Sequence, residues 1–224
     1  MDNRSLINEI TEQVVKSLQA QFSSKTEKKL EKPTRIFIPV GISNRHLHLD
    51  EKTLFKLFGE GYQLTVRNPL SQPGQFAANE TVTVIGPKLR ALQNVRILGP
   101  IRKQTQVEIS KTDGIQIGIV PPVVASGNLE GTPGAILIGP KGAVNLPFGL
   151  IRANRHIHMS NDDAKKYGIK DGQIVKVKTS GEKLTLFEKC QVRVDENFVT
   201  ELHLDTDDGN AADLVCGDEV EIIL

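Results

Sequence analysis

The stretch GISNRHLHLDEK, residues 41–52, contains two histidines, His46 and His48, separated by a single leucine. Histidine is otherwise scarce, with five in the 224 residues of the chain. In a β-strand, side chains two positions apart project from the same face. The pattern therefore predicts a strand that presents both imidazoles on one face and directs Leu47 and Leu49 into a core.

The same stretch occurs twice. The segment SNRHLHLDEKTLFKLFGEG, starting at Ser43, recurs as ANRHIHMSNDDAKKYGIKDG, starting at Ala153, with a second histidine pair at His156 and His158. Self-similarity of this length indicates two halves built on one plan.

A short helix is expected after each histidine pair. Asp50 and Ser160 are residue types that cap helix N-termini, and Gly59 and Gly168 follow where the helices should end.

The rest of the chain consists mostly of short runs with strand-like composition, punctuated by glycine and proline. Examples are TVTVIGP, VRILGP, QVEIS, GIQIGIV, AILIGP, TLFEKCQVRV, VTELHLD and DEVEIIL. Many short strands with turn signals are typical of barrels and sandwiches. The predicted fold is mainly β, with two small β-barrel domains related by the internal repeat, short helices and an N-terminal amphipathic helix.

Three segments divide the chain in this interpretation. Residues 1–33 form an amphipathic helix and a linker, residues 34–120 the first β-barrel repeat, and residues 121–224 the second. The glycine- and proline-rich region 115–150 allows an exchange of strands between the halves.

The N-terminal segment differs in character from the rest. SLINEITEQVVKSLQAQF places Ile7, Ile10, Val14, Leu18 and Phe22 at helical spacing, and the lysine-rich SSKTEKKLEKPTR follows. A detached amphipathic helix has an apolar stripe that must dock elsewhere. Its partner is either another component or this protein's own body or dimer mate.

Composition excludes several classes of function. The formal net charge is +1, aromatic residues make up 4% and tryptophan is absent, which argues against nucleic-acid and anionic-membrane binding. No apolar run approaches 18 residues, and no secretory signal is recognisable. Cys190 and Cys216 are expected to be reduced thiols in a cytosolic protein.

The fifth histidine completes a set of ligands. His203 lies in TELHLD, and aligning that segment with QVEIS places Glu108 at the corresponding position. Each half then offers three metal ligands: His46, His48 and Glu108 in the first, and His156, His158 and His203 in the second. Three protein ligands with one open position are typical of a catalytic zinc site.

Arg102, in GPIRK, lies six residues before Glu108. Arginine is the preferred residue for binding phosphate because its planar guanidinium matches an oxyanion, although a solvated surface charge is the alternative. No GxSxG or Walker A motif is present.

From about Pro39 to the C-terminus, the chain resembles the PduL-type phosphate propanoyltransferases, which are phosphotransacylases of bacterial microcompartments. The resemblance is carried by GISNRHLHL, QPGQFAANETVTVIGPK, NVRILGP, QVEIS, SGNLEGTPG, NRHIHMS and ELHLDTDDGNAA. It implies two β-barrel domains, two zinc ions held by the two ligand sets above, and phosphate bound by Arg102. It also implies that coenzyme A contacts Ile42, Ser43, Asn44, Lys88, Arg96 and Asn210.

The implied activity is a phosphate acyltransferase that interconverts acyl-CoA plus phosphate with acyl phosphate plus CoA, with propanoyl-CoA as the expected substrate. A dizinc thioester hydrolase and a non-catalytic, metal-bound microcompartment component are the alternatives. The resemblance further implies a microcompartment lumen within the cytoplasm, contact with shell or core through the N-terminal helix, and a homo-oligomer.

Overall fold

The computed structural model describes residues 11–16 and 35–224. Residues 11–16 are helical with exposed side chains, and the rest of the predicted N-terminal helix and linker lies outside the described residues. Within the described residues, no helix is long and apolar enough to cross a membrane.

Residues 35–224 form one compact unit rich in strands. The helices are α1 (Glu51–Phe58), α2 (Lys111–Ile117), α3 (Asn161–Tyr167) and α4 (Thr206–Ala211). The strands are β1 (Ile36–Ser43), β2 (His46–His48), β3 (Val66–Pro69), β4 (Phe76–Ile85), β5 (Ala91–Gly99), β6 (Gln106–Glu108), β7 (Val123–Val124), β8 (Ala135–Ile138), β9 (Ala143–Leu146), β10 (Leu150–Ala153), β11 (His156–Met159), β12 (Ile174–Lys178), β13 (Leu186–Val194), β14 (Glu201–Asp205) and β15 (Glu219–Ile223).

Two sheets account for these strands, and the mainly β fold with two barrel-like parts is confirmed. One sheet is a closed barrel with the order β1-β14-β11-β13-β12-β15. The other is a half-barrel of nine strands with the order β7-β10-β6-β2-β5-β4-β8-β9, in which β3 pairs with β4.

Each sheet contains strands from both predicted halves of the chain. β1 precedes the first histidine pair, yet it pairs in parallel with β14, Val40 opposite Leu202, and thereby helps to close the barrel. Conversely, β10, which belongs to the second predicted half, pairs with β6 in the half-barrel, with Ile151 opposite Glu108. Each sheet thus contains strands from both sides of the predicted boundary at residue 120, and that boundary stays a prediction.

The helices after the two histidine pairs have the predicted caps. The Asp50 carboxylate accepts a hydrogen bond from the backbone N–H of Thr53 at 2.8 Å, and α1 ends at Gly59. In the second copy, the Ser160 hydroxyl accepts from the backbone N–H of Asp163, and α3 ends at Gly168. A side chain at the N-cap satisfies a backbone donor that has no partner within the helix.

The prediction of a strand at GIQIGIV, residues 114–120, is wrong, because most of this segment belongs to α2. Ser110 and Asp113 form a reciprocal capping box at the start of this helix. Gly118 then ends it in the left-handed conformation, at φ 86°. These local hydrogen bonds outweigh the strand-like alternation of isoleucine and glycine.

Each sheet encloses its own apolar core. Leu47 and Leu49 lie in the first core and Ile157 and Met159 in the second, and all four are fully buried, as predicted from the strand alternation. The intervening histidines therefore project from the opposite face, away from both cores.

Replacing Leu57 of α1 with alanine is expected to destabilise the protein by about 2–5 kcal/mol, because Leu57 is fully buried and the truncation leaves a cavity. Denaturant unfolding monitored by circular dichroism measures this change. Leu184→Ala is the control, since Leu184 is 55% exposed and should change stability by less than about 0.5 kcal/mol. Equal effects of the two substitutions would contradict the packing assignment.

Candidate active site

Strand pairing places the third predicted ligand of each half opposite its histidine pair. In the half-barrel, β2 runs antiparallel to β6, with His46 opposite Glu108. In the barrel, β11 runs antiparallel to β14, with His156 opposite His203. Opposed residues on neighbouring strands project from the same face, so each set of three converges.

In the first cluster, His46, His48 and Glu108 have possible ligand atoms that all lie within 4.8 Å of one another. The distance from Nε2 of His46 to Oε2 of Glu108 is 3.7 Å, and that from Nε2 of His48 to Oε1 is 3.9 Å. The Nδ1 atoms face backbone carbonyls, that of Asn44 at 2.8 Å and that of Leu98 at 3.2 Å. Both histidines therefore direct Nε2 toward the carboxylate.

Burial and charge set the protonation states in the first cluster. Burial raises the pKa of Glu108, but His46, His48 and Arg102 lower it by more, so this carboxyl group is ionised at neutral pH. Burial, with Arg102 and His46, lowers the pKa of His48 to about 3. Burial lowers the pKa of His46 as well, but the Glu108 carboxylate outweighs it and the net shift is upward.

The second cluster consists of His156, His158 and His203, whose possible ligand atoms also lie within 4.8 Å of one another. The rings of His156 and His203 are stacked, with centroids 5.0 Å apart. Nδ1 of His156 faces the carbonyl oxygen of Asn154 at 2.8 Å, which repeats the contact between His46 and Asn44. The Glu201 carboxylate lies 3.3 Å from Nε2 of His203.

All three imidazoles of the second cluster are neutral at neutral pH. Burial, with His156 and Arg193, lowers the pKa of His158 to about 3. Burial and the two neighbouring histidines hold the pKa of His203 well below its usual value, and burial lowers that of His156. Neutral imidazole is the form that binds a metal ion.

The donor atoms of both clusters fit a metal ion. Three imidazoles, or two imidazoles and a carboxylate, are the ligand types that zinc takes. Among the described residues, Nδ1 of His158 is buried without a hydrogen-bond partner. A buried polar atom of this kind is costly unless a ligand satisfies it. Three converging neutral histidines have no evident purpose in packing, whereas they form a natural chelate.

A cavity of about 700 Å³ has both clusters in its wall, together with Arg102. Nη1 of Arg102 donates a hydrogen bond to the Ser126 hydroxyl at 3.3 Å. Partial burial lowers the pKa of Arg102, but a guanidinium stays charged. Its positive charge lowers the pKa of His48 in one cluster and the pKa of His158 in the other. Arg102, the residue predicted to bind phosphate, therefore lies close to both predicted metal sites.

The residues expected to contact coenzyme A divide into two groups. Ile42, Ser43, Asn44 and Arg96 line the cavity, whereas Lys88 and Asn210 do not. The aliphatic part of the Lys88 side chain lies against Gly118, at the C-terminal end of α2. Asn210 lies in α4 and accepts a hydrogen bond from Lys183 through its backbone carbonyl.

Arg193, which was not predicted from the sequence, also lines the cavity. It lies on β13 opposite His158. Its positive charge lowers the pKa of Arg102 and the pKa of His158. The repeat does not reveal it, because the arginine on the corresponding strand, Arg96, lies opposite the other histidine position, His46. Ser126 was missed as well, since it comes from a loop without a counterpart in the repeat.

Comparison with known proteins agrees with the resemblance. Residues 39–215 match the phosphate propanoyltransferase family. A phosphate propanoyltransferase of Lachnoclostridium phytofermentans is 50% identical over 214 residues, which cover 96% of this chain and 96% of that protein. Another, of Thermotoga maritima, is 55% identical over 187 residues, covering 83% and 89%. A third, of Clostridioides difficile, is 42% identical over 219 residues, covering 98% of each. The chain therefore belongs to the phosphate propanoyltransferase family and is an acyltransferase.

Proposed function

We propose that the protein transfers an acyl group between coenzyme A and inorganic phosphate at a site with two zinc ions. One observation carries this proposal: a single cavity brings together two clusters of three ligands, one on each sheet, with Arg102 beside both. In the forward direction, a phosphate oxygen attacks the thioester carbonyl carbon, the carbon–sulfur bond breaks, and the CoA thiolate leaves. The reverse reaction forms the thioester from the acyl phosphate.

His46, His48 and Glu108 would hold one zinc ion, and His156, His158 and His203 the other. Bound zinc would supply Lewis-acid stabilisation for the carbonyl oxygen and the thiolate. The two sets differ in charge, because the first includes an ionised carboxylate and the second consists of neutral imidazoles. The second site would therefore be the more electrophilic of the two.

Arg102 has the chemistry to bind the phosphate and to hold its charge. A guanidinium forms paired hydrogen bonds with an oxyanion, and such charge-assisted bonds are stronger than neutral ones. The Ser126 hydroxyl, which accepts from Arg102, fixes the direction of the guanidinium. Gln106 in turn donates to Ser126 at 2.8 Å and to the Glu108 carboxylate, so phosphate binding and the first ligand set are linked through hydrogen bonds.

The acyl chain and the thioester require a less polar environment. Leu98 and Phe198 form an apolar part of the wall of the same cavity. Phe198 stacks against the His158 ring at a centroid distance of 4.1 Å, which places an aromatic face beside the second cluster. Ile42, Ser43, Asn44 and Arg96, at the same cavity, are proposed to contact coenzyme A.

The relatives are named for propanoyl transfer, and we propose the same acyl group for this protein. We further propose that it acts as a homo-oligomer inside a bacterial microcompartment, with the N-terminal segment contacting shell or core. The apolar spacing of Ile7, Ile10 and Val14 and the lysine-rich segment that follows support this part of the proposal.

A single assay tests the reaction. Purified protein is incubated with propanoyl-CoA with and without phosphate, and the free thiol and the acyl product are measured. Thiol release that requires phosphate and forms propanoyl phosphate supports the proposal. Release of free propanoate without phosphate would instead identify a thioester hydrolase, and absence of turnover would favour a non-catalytic component.

Deleting residues 1–33 is expected to leave specific activity and metal content unchanged while abolishing recruitment to a compartment, because all proposed site residues lie beyond Pro39. Burial of each aliphatic side chain of the apolar stripe contributes roughly 1.5–3 kcal/mol to docking. The measurement is fluorescence microscopy of residues 1–22 fused to a fluorescent protein, in cells that build such compartments.

The control for the fusion replaces Ile10 and Val14 with glutamate, which removes the stripe and retains the length. A diffuse signal from the unaltered fusion, or a truncated enzyme that has lost turnover, would contradict the assignment of residues 1–22 as a targeting segment.

A further inference from the structure

An arginine directly precedes each histidine pair, and each arginine contacts an aspartate far away in the sequence. Arg155 makes two contacts with Asp208, Nε to Oδ2 and Nη2 to Oδ1, both at 2.7 Å. Arg45 makes one contact with Asp113, from Nη2 to Oδ1 at 3.1 Å. Neither arginine takes part in the proposed chemistry, so the contacts call for another explanation.

The two aspartates occupy matching places in the repeat. Asp113 follows Glu108 by five residues, and Asp208 follows His203 by five. Each aspartate is the third residue of the short helix, α2 or α4, that follows the strand with the third ligand. The helix sequences KTDGIQI and TDDGNA share this aspartate and the glycine that follows it.

Capping bonds connect each aspartate firmly to the strand before it. The backbone N–H of Asp113 donates to the Ser110 hydroxyl at 3.2 Å, and that of Asp208 donates to the Asp205 carboxylate at 2.9 Å. Ser110 and Asp205 are the N-caps and lie two residues after the third ligand. An arginine bound to the aspartate therefore links the histidine strand to the end of the third-ligand strand.

Such a link adds to the short strand pairing between the proposed ligands of each cluster. β2 and β6 have three residues each, and β11 pairs with β14 over three positions. The neighbouring strands on the other side hold the register of each strand as well, but three ligands must converge within about 0.5 Å of the productive geometry, which a side-chain contact at the strand end helps to fix.

We propose that Arg45–Asp113 and Arg155–Asp208 are positioning pairs that hold the third ligand of each cluster beside its histidine pair. This inference rests on the proposed metal sites. The second pair is the stronger, since it is bidentate and the Arg155 guanidinium also lies over the Phe187 ring at 4.9 Å. The first pair has one contact, and Nε of Arg45 is buried without a hydrogen-bond partner. The larger effect is therefore expected at the second site.

Asp208→Asn and Asp113→Asn in the full-length protein test this role. Asparagine keeps the size of the side chain and removes its charge. Zinc affinity is measured by competition with a chromophoric chelator, site by site, with His46→Ala or His156→Ala as the background that leaves one cluster intact. Asp208→Asn is expected to weaken zinc binding by the His156 cluster about tenfold, in the range found for residues that orient metal ligands, and to leave the other cluster unchanged. Asp113→Asn should do the reverse, with a smaller effect.

Glu221→Gln is the matched control, because Glu221 forms a bidentate pair with Arg35 on the outside of the barrel. It should leave both zinc affinities unchanged. Arg155→Lys provides a second variant that keeps the charge and loses the bidentate geometry. It should weaken zinc binding at the second site even if Asp208→Asn folds poorly.

The outcomes separate this inference from the function on which it rests. Wild-type protein that binds no zinc would overturn the metal sites themselves, and the positioning role with them. Two wild-type sites with unchanged affinities in all variants would overturn only the positioning role. A variant that destabilises the metal-free protein and weakens zinc binding equally at both sites would also overturn the positioning role. A variant that raises the KM for coenzyme A without changing either zinc affinity would overturn it as well.

Discussion

Replacing His156 with alanine is expected to remove about one metal equivalent per chain and to reduce turnover to background. The wild-type protein is expected to bind about two equivalents of zinc, one per cluster. Loss of His156 leaves His158 and His203 as a two-ligand site, which holds zinc much more weakly than three converging donors. His46→Ala should have the same effect on the other site, since it leaves His48 and Glu108. Elemental analysis of the purified variants, beside a chelator-treated wild-type sample, measures both changes.

The two variants serve as controls for each other. In each, the untouched cluster should retain its metal, because the clusters are built on different sheets and share no ligand. Adding excess zinc should restore activity to the chelator-treated wild type but not to the variants. Retention of both metal equivalents in both variants would show that the ligand assignment is wrong.

Replacing Arg102 with alanine is expected to leave the metal content at the wild-type level and to reduce kcat/KM for phosphate on the order of 100-fold, comparable with removal of one charge-stabilising donor from an active site. Arg102 contacts Ser126 and faces the cavity, but it contributes no ligand atom to either cluster. Arg102→Lys should recover only part of the activity, because an ammonium lacks the planar pair of donors. Steady-state kinetics with phosphate as the varied substrate measures the effect.

Lys103→Ala is the control for this experiment. Lys103 is the neighbouring residue, is exposed, and does not line the cavity. Its replacement should leave the phosphate dependence unchanged. If the phosphate dependence of Arg102→Ala equalled that of the wild type, Arg102 would have no role in binding phosphate, and Arg193 would be the next residue to replace.

Some of the site could be predicted because the relevant physics is local. The alternation of side chains along a strand places His46 beside His48 and directs Leu47 to the other face, whatever the rest of the chain does. Capping is equally local, since an N-cap side chain bonds to a backbone N–H three residues away. The repeat then indicated Glu108 and His203 as the third member of each cluster, because two copies of one plan place their side chains at matching positions.

The error at residues 114–120 has a physical reason of the same kind. The alternation in GIQIGIV is strand-like, but the reciprocal bonds between Ser110 and Asp113 begin a helix before it. Gly118 then allows the left-handed turn that ends the helix. A pattern of period two is a weak signal over seven residues, and the capping bonds decide the outcome.

The sequence by itself determined the two histidine strands, the side chains that converge with them, the helices that follow and the predominance of strands. Only the tertiary structure decided that β1 enters the barrel beside β14, that both clusters and Arg102 share one cavity, and that Arg193 lies opposite His158. The pairing of Arg155 with Asp208 belongs to the same group. These features depend on which distant strands pair and in what register, and register follows from burying two complete apolar cores at once. No short segment carries that information, because each strand contributes only one edge or one face to a core that the whole chain encloses.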